Sequence, residues 1–164
     1  MKSLKTIMLA VIMILLLAGC HQWPEYPDEP QIEFVEYQLL IDEDSIPQKG
    51  VIVFSFTDGD GDIGLDNTET EYPYDYNLFV EYYEMHGGLW QSYVNDNGDT
   101  VNFNGRIPVL TPEGNDKAIS GTIYDTVGIN RFNDVDTVKY IVSIKDHALN
   151  ESNKIEIVTR QKLY

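Results

Sequence analysis

The chain has 164 residues, of which 27 are acidic and 11 basic, for a formal charge of −16 at pH 7. With no basic stripe to neutralise phosphates, the sequence argues against nucleic acid as a partner, and its single cysteine excludes an intramolecular disulfide. Aromatic residues make up 12% of the chain, eleven of them tyrosines, which argues against disorder and for a folded core.

Lys2 and Lys5 precede an unbroken apolar run of 11 residues from Ile7 to Leu17, and Leu17-Ala18-Gly19-Cys20 closes it. At ~1.5 Å rise per residue that run covers about half of a ~30 Å bilayer core, too little for a finished transmembrane helix. A basic start, a short apolar centre and a small-residue exit are the pattern of a secretory signal peptide over residues 1–19. The closing four residues resemble the lipobox of bacterial lipoproteins. That resemblance implies cleavage before Cys20, a diacylglycerol on its thiol and a mature chain tethered to a membrane; an ordinary buried thiol is the alternative. Each buried methylene contributes ~0.8 kcal/mol, so two or three acyl chains would make the anchorage effectively permanent.

Removal of Lys2 and Lys5 with the leader leaves 145 residues, one domain's worth, with 9 basic and 27 acidic side chains and a net charge of −18. His21 lacks the aspartate associated with inner-membrane retention in some lipoproteins, which points to the outer membrane. Glu25, Asp28 and Glu29 loosely resemble acidic surface-export signals, so the periplasmic and the surface face both stay open.

Residues 20–30 contain Pro24, Pro27 and Pro30 among polar and acidic neighbours and read as a semi-rigid tether, with the folded domain over 31–164. Ile32, Phe34, Val35, Tyr37, Leu39 and Ile41 alternate with one phase slip at Phe34/Val35, the pattern of a strand with a bulge. Val51 to Thr57 is β-branched or aromatic on both faces apart from Ser55, as a central strand requires. Leu78 to Tyr83 and Leu89 to Val94 flank His86-Gly87-Gly88 and form a predicted hairpin, followed by a turn at Asn95-Asp96-Asn97-Gly98. Thr100 to Phe103 reads as a strand, and Ile107 to Leu110 as an edge or turn because of Pro108. Ala118 to Tyr124, Thr137 to Lys145 and Lys154 to Thr159 complete seven or eight strands, an all-β antiparallel sandwich.

The segment after the central strand is Asp58-Gly59-Asp60-Gly61-Asp62-Ile63-Gly64-Leu65-Asp66-Asn67-Thr68-Glu69. Three carboxylates at alternate positions repel one another unless a cation neutralises them, and the glycines let the backbone curl so that they converge. This spacing suits a hard divalent ion, calcium above all in a millimolar extracellular setting. It also resembles the calcium loop of EF-hands and of EF-hand-like loops outside helical proteins. The resemblance places Asp58, Asp60 and Asp62 at the first, third and fifth ligand positions, Asp66 at the ninth, and Glu69 where the bidentate glutamate falls. Ile63 occupies the sixth position, with Gly64 one place on, and a strand precedes the loop, so a single β-flanked site with a structural role is expected. The alternative is an acidic turn that satisfies its own backbone.

Val142 to Asn153, with Asp146-His147-Ala148-Leu149-Asn150-Glu151-Ser152 at its centre, resembles the end of bacterial immunoglobulin-like and fibronectin-like modules, Leu149 standing where they carry glycine. The resemblance implies an immunoglobulin-like order of strands. Combined with the lipobox and the aspartate loop, it is similar to lipoproteins of the outer membrane in glycan-foraging bacteria, and it implies no reaction. Asp146 and Asn150 either complete a metal site, if the loops meet, or cap their own turn.

Tyr72, Tyr74 and Tyr76, with Trp90 further on, are candidate sugar-stacking residues, or ordinary members of a sandwich core. His21, His86 and His147 fall in the tether and predicted turns, outside any metal or nucleophile motif, and no serine elbow is present. The leading expectation is therefore a noncatalytic, lipid-anchored envelope protein stabilised by calcium and acting in binding or surface assembly. The alternatives are a glycan-binding accessory lipoprotein and a carboxylate-dependent hydrolase.

Overall fold

A computed structural model describes residues 25–110, 117–129 and 134–161, and the expected lipidation site Cys20 lies outside them. The described residues form seven strands: β1 (Gln31–Ile41), β2 (Pro47–Asp58), β3 (Leu78–His86), β4 (Leu89–Ser92), β5 (Ile119–Gly128), β6 (Thr137–Ile144) and β7 (Ile155–Arg160). Every pairing is antiparallel, in a three-stranded sheet of order β1-β2-β5 and a four-stranded sheet of order β4-β3-β6-β7. No helix among them is long and apolar enough to cross a membrane.

The two sheets share one core. Ile52, Phe54 and Phe56 on alternate positions of β2 meet Val80, Tyr82, Tyr140, Val142 and Ile144 from β3 and β6. Tyr82 packs edge-on to Phe103 at 5.4 Å and tilted against Tyr140 at 5.5 Å, so part of the tyrosine content is spent as core aromatics. β2 is the central strand of its sheet, as its doubly apolar sequence requires.

The bulge sits where the phase slip falls, with the register of β1 shifting between Phe34 and Glu36. Gly87 and Gly88 both have positive φ, 59° and 85°, the geometry that a two-residue turn between β3 and β4 demands. Asn153 ties the two sheets together near the start of β1. Its Oδ1 accepts from the Ile32 amide at 2.8 Å and its Nδ2 donates to the Ile32 carbonyl at 2.9 Å. Asn153→Ala leaves both backbone groups without that partner and is expected to lower unfolding free energy by about 2 kcal/mol in urea titration.

The region 93–110 departs from the expected strands. β4 stops at Ser92, and Thr100 to Leu110 makes only isolated bridges, among them Glu81 with Asn102 and Leu78 with Gly105. A few backbone bonds, such as the Phe103 amide to the Val80 carbonyl and the Gly105 amide to the Leu78 carbonyl, both 2.8 Å, are supplemented there by side-chain amides. Asn77 Nδ2 donates to the Ile107 carbonyl at 3.2 Å while its Oδ1 accepts from the Ile107 amide at 2.7 Å, and Asn104 Oδ1 accepts from the Val80 amide. The segment thus buries Ile107 without becoming a strand.

Candidate metal centre

Asp58 is the last residue of β2 and continues the inward parity of Ile52, Phe54 and Phe56, so its side chain enters the mouth of the sandwich and is 0% exposed. A carboxylate there needs compensation. Its Oδ2 accepts from the Ile63 amide at 3.2 Å, whereas Oδ1 is buried without a hydrogen-bond partner. Asp60 Oδ1 and Asp62 Oδ1 are buried and unpartnered in the same way. Gly61, between them, has φ of 65°, and a Cβ on it would overlap the Lys117 carbonyl oxygen, so the tight path of the loop depends on glycine.

The second element of the centre is the turn between β6 and β7. Asp146 is 1% exposed, and carboxylate oxygens of Asp58, Asp62 and Asp146 lie within 4.8 Å of one another. The His147 amide donates to the Asp62 carbonyl at 3.2 Å and the Ala148 amide to Asp62 Oδ2 at 3.1 Å, which fixes the two loops together. Asn150 caps the turn: its amide donates to Asp146 Oδ1 at 2.7 Å and its Nδ2 to Oδ2 at 2.8 Å. Asp146 thus caps its own turn while its carboxylate stands beside those of Asp58 and Asp62, and Asn150 serves it as a donor.

Leu149 holds φ of 70°, in the left-handed region that favours glycine. Leu149→Gly should relieve left-handed strain and stabilise the domain by about 0.5 to 1 kcal/mol, read as a higher urea midpoint.

Charge in this cluster is uncompensated. None of the ion pairs among the described residues reaches Asp58, Asp60, Asp62 or Asp146. Burial, and then the Asp60 charge, push the Asp58 carboxyl up to about 6, and burial followed by Asp146 and Asp60 raises that of Asp62. Carboxylates from two loops, with three oxygens lacking donors, form an all-oxygen set of the kind a hard cation binds.

Asp66 and Glu69 lie outside this group. Ile63 and Leu65 turn into the core, 0% and 3% exposed, and carry the following residues away from the cluster. Asp66 Oδ1 accepts from the Thr68 amide at 2.9 Å and the Thr68 hydroxyl at 2.8 Å, which holds its carboxyl below the usual range. Glu69 Oε2 accepts from the Asp66 amide at 2.7 Å, and Oε1 lies 2.8 Å from His147 Nε2. Neither residue joins Asp58, Asp62 and Asp146, because Ile63, where an EF-hand-like loop would carry a turn glycine, is a core anchor.

The aromatic candidates are divided. Tyr74 stacks on His147 at 5.0 Å beside the acidic cluster, Tyr72 is 89% exposed, and Tyr76 is exposed. Trp90 pairs with Met85 across the β3–β4 hairpin and lies under Lys139 Nζ, 5.1 Å from its ring centroid. Met85 is seven residues along β3 from Leu78, roughly 23 Å away, so Trp90 belongs to the opposite end of the sheet.

Arg106 was not singled out by sequence. Its Nη1 donates to the Tyr74 and Asp75 carbonyls at 2.7 and 2.9 Å and its Nη2 to the Asp66 carbonyl at 2.9 Å, bracing the β2–β3 loop. Only a lone arginine in a non-periodic segment marked it. The fold and the cluster define a two-sheet all-β domain with a buried acidic centre at one end. Comparison with family models, curated proteins and solved structures finds no match, so the functional reading rests on geometry.

Proposed function

We propose that this chain is a noncatalytic, lipid-anchored β-sandwich protein of the bacterial cell envelope, in which Ca2+ held by Asp58, Asp60, Asp62 and Asp146 locks the loops at one end. The observation that carries the reading is the set of buried carboxylate oxygens without donors on Asp58, Asp60 and Asp62, facing the buried Asp146 carboxylate of a second loop that is hydrogen-bonded to the first. Calcium suits it because that ion takes six to eight oxygens in flexible geometry, whereas Mg2+ demands a near-octahedral shell. The strand order supports an immunoglobulin-like arrangement: with β1 to β7 taken as A, B, C, C′, E, F and G, the sheets are ABE and C′CFG.

On this reading the tether enters the domain at the end that carries the aspartate cluster. The Gly59 amide donates to the Pro27 carbonyl at 2.8 Å, so the chain arriving from Cys20 meets the domain at the aspartate loop. Seven residues of extended chain span at most about 25 Å, which sets the largest separation of Cys20 from Pro27. A cation there would stiffen the junction between lipid and domain, and surface assembly would use the remaining faces. Cys20→Ser is expected to move the protein from the membrane to the soluble fraction; a variant that still sediments with membranes contradicts the anchor.

Hydrolysis is the weaker reading. Glycosidase carboxyls stand about 5 to 9.5 Å apart across an open cleft, and these oxygens lie within 4.8 Å in a buried site. Glycan stacking retains Tyr72 and Tyr76 but loses Trp90 from the same platform.

A further inference from the structure

Among the described residues β5 pairs with β2 alone, and none of their strands pairs with its other edge. Beside that edge runs a groove of about 510 Å³, with Ile119 to Asp125 as one wall and Leu78, Ile107, Pro108 and Leu110 on the other. Gly121, Ile123 and Asp125 pair with Phe56, Phe54 and Ile52, all three core residues, so these β5 positions face the space between the sheets. Asp125 is the exception among apolar neighbours. Its Oδ2 is buried without a hydrogen-bond partner, and no ion pair among the described residues reaches it. Arg106 also lines the groove, but its bonds to three carbonyls hold it on the β2–β3 loop.

We propose that this groove receives an extended polypeptide segment that adds to β5 as a further strand, with apolar side chains facing inward and one lysine or arginine meeting Asp125. The free edge supplies main-chain donors and acceptors along seven residues, and the apolar wall supplies pockets for alternate side chains, the two components of recognition by strand addition. Charge selects the occupant. An inward-pointing carboxylate on an edge strand guards it against pairing with copies of the same acidic chain, and a chain of net charge −16 repels itself. The same carboxylate gains from a basic partner that supplies the missing donor.

The test is amide hydrogen exchange of the full chain with a synthetic peptide, acetyl-Thr-Val-Thr-Val-Thr-Lys-Thr-amide, and its counterpart with glutamate in place of lysine. The lysine peptide should slow exchange within 119–125, at about a tenth of the concentration the glutamate peptide needs, the effect of exchanging an attracted for a repelled charge. Asp125→Asn should bring the two peptides to within about threefold of each other while the strand edge still responds. Three results overturn the proposal: no slowing in 119–125 at millimolar lysine peptide, an equal response to both peptides in the wild type, or slowing of that segment by self-association without peptide.

Discussion

Asp58→Asn should raise the melting temperature of the metal-free protein and abolish its response to calcium. In the wild type, free calcium at about 100 times the dissociation constant contributes about 2.7 kcal/mol. For a domain of this size that is a rise of roughly 10 °C. The substitution removes a buried anion repelled by Asp60, Asp62 and Asp146, so the apo protein gains several degrees; an amide oxygen still accepts from Ile63. The same change withdraws one charged ligand and should cut the calcium increment to within about 2 °C. Opposite signs in the two conditions separate a cation site from an acidic turn. A turn that caps itself would show no calcium increment in either protein. Differential scanning calorimetry with calcium and with chelator reads both numbers.

The second large effect is on pH. Folding raises the Asp58 carboxyl from its unfolded value of 3.8 to about 6, so between these values the folded state binds more protons than the unfolded. Metal-free stability is therefore fully favoured by this group below about 4 and falls as pH rises through 6, on the order of 2 to 3 kcal/mol for the whole shift. Asp62 shifts the same way. Asp66, Glu69 and Glu81 are displaced downward, so their stabilisation persists above their unfolded values and is lost only in stronger acid. Chelated protein should thus melt higher at pH 5 than at pH 7. Calcium requires the carboxylates deprotonated, so its increment should shrink over the same interval. Asp58→Asn should flatten the chelated profile. A wild-type chelated protein that loses stability on going from pH 7 to 5 would contradict the assignment.

Much of the fold was legible because its strands carry local signals. The β-branched, doubly apolar run at Val51–Thr57 marks a strand covered on both faces, the Phe34/Val35 slip marks a bulge, and paired glycines mark the β3–β4 turn. Residues 100–110 carry similar apolar spacing yet make only isolated bridges, with the distant Asn77 side chain bonding the Ile107 backbone and Asn104 reaching across to the Val80 amide. No periodicity records such bonds.

The site divides along the same line. Asp58, Asp60 and Asp62 were legible from spacing, since alternate carboxylates among glycines are a local pattern. Asp146 depended on two loops meeting, a tertiary fact that the hydrogen bond from Ala148 to Asp62 records. Asp66 and Glu69 kept the spacing of a calcium loop but not its path, because burial of Ile63 and Leu65 outweighs the motif register. Trp90 joined the tyrosines in composition only; strand register separates it from them.

Equilibrium dialysis at millimolar free ion measures how many calcium ions the aspartate cluster holds. One ion per chain is expected in the wild type and in Glu69→Ala, and none in Asp146→Ala. Absence of bound calcium in the wild type, or an ion kept by Asp146→Ala and lost by Glu69→Ala, would contradict a calcium site at this cluster.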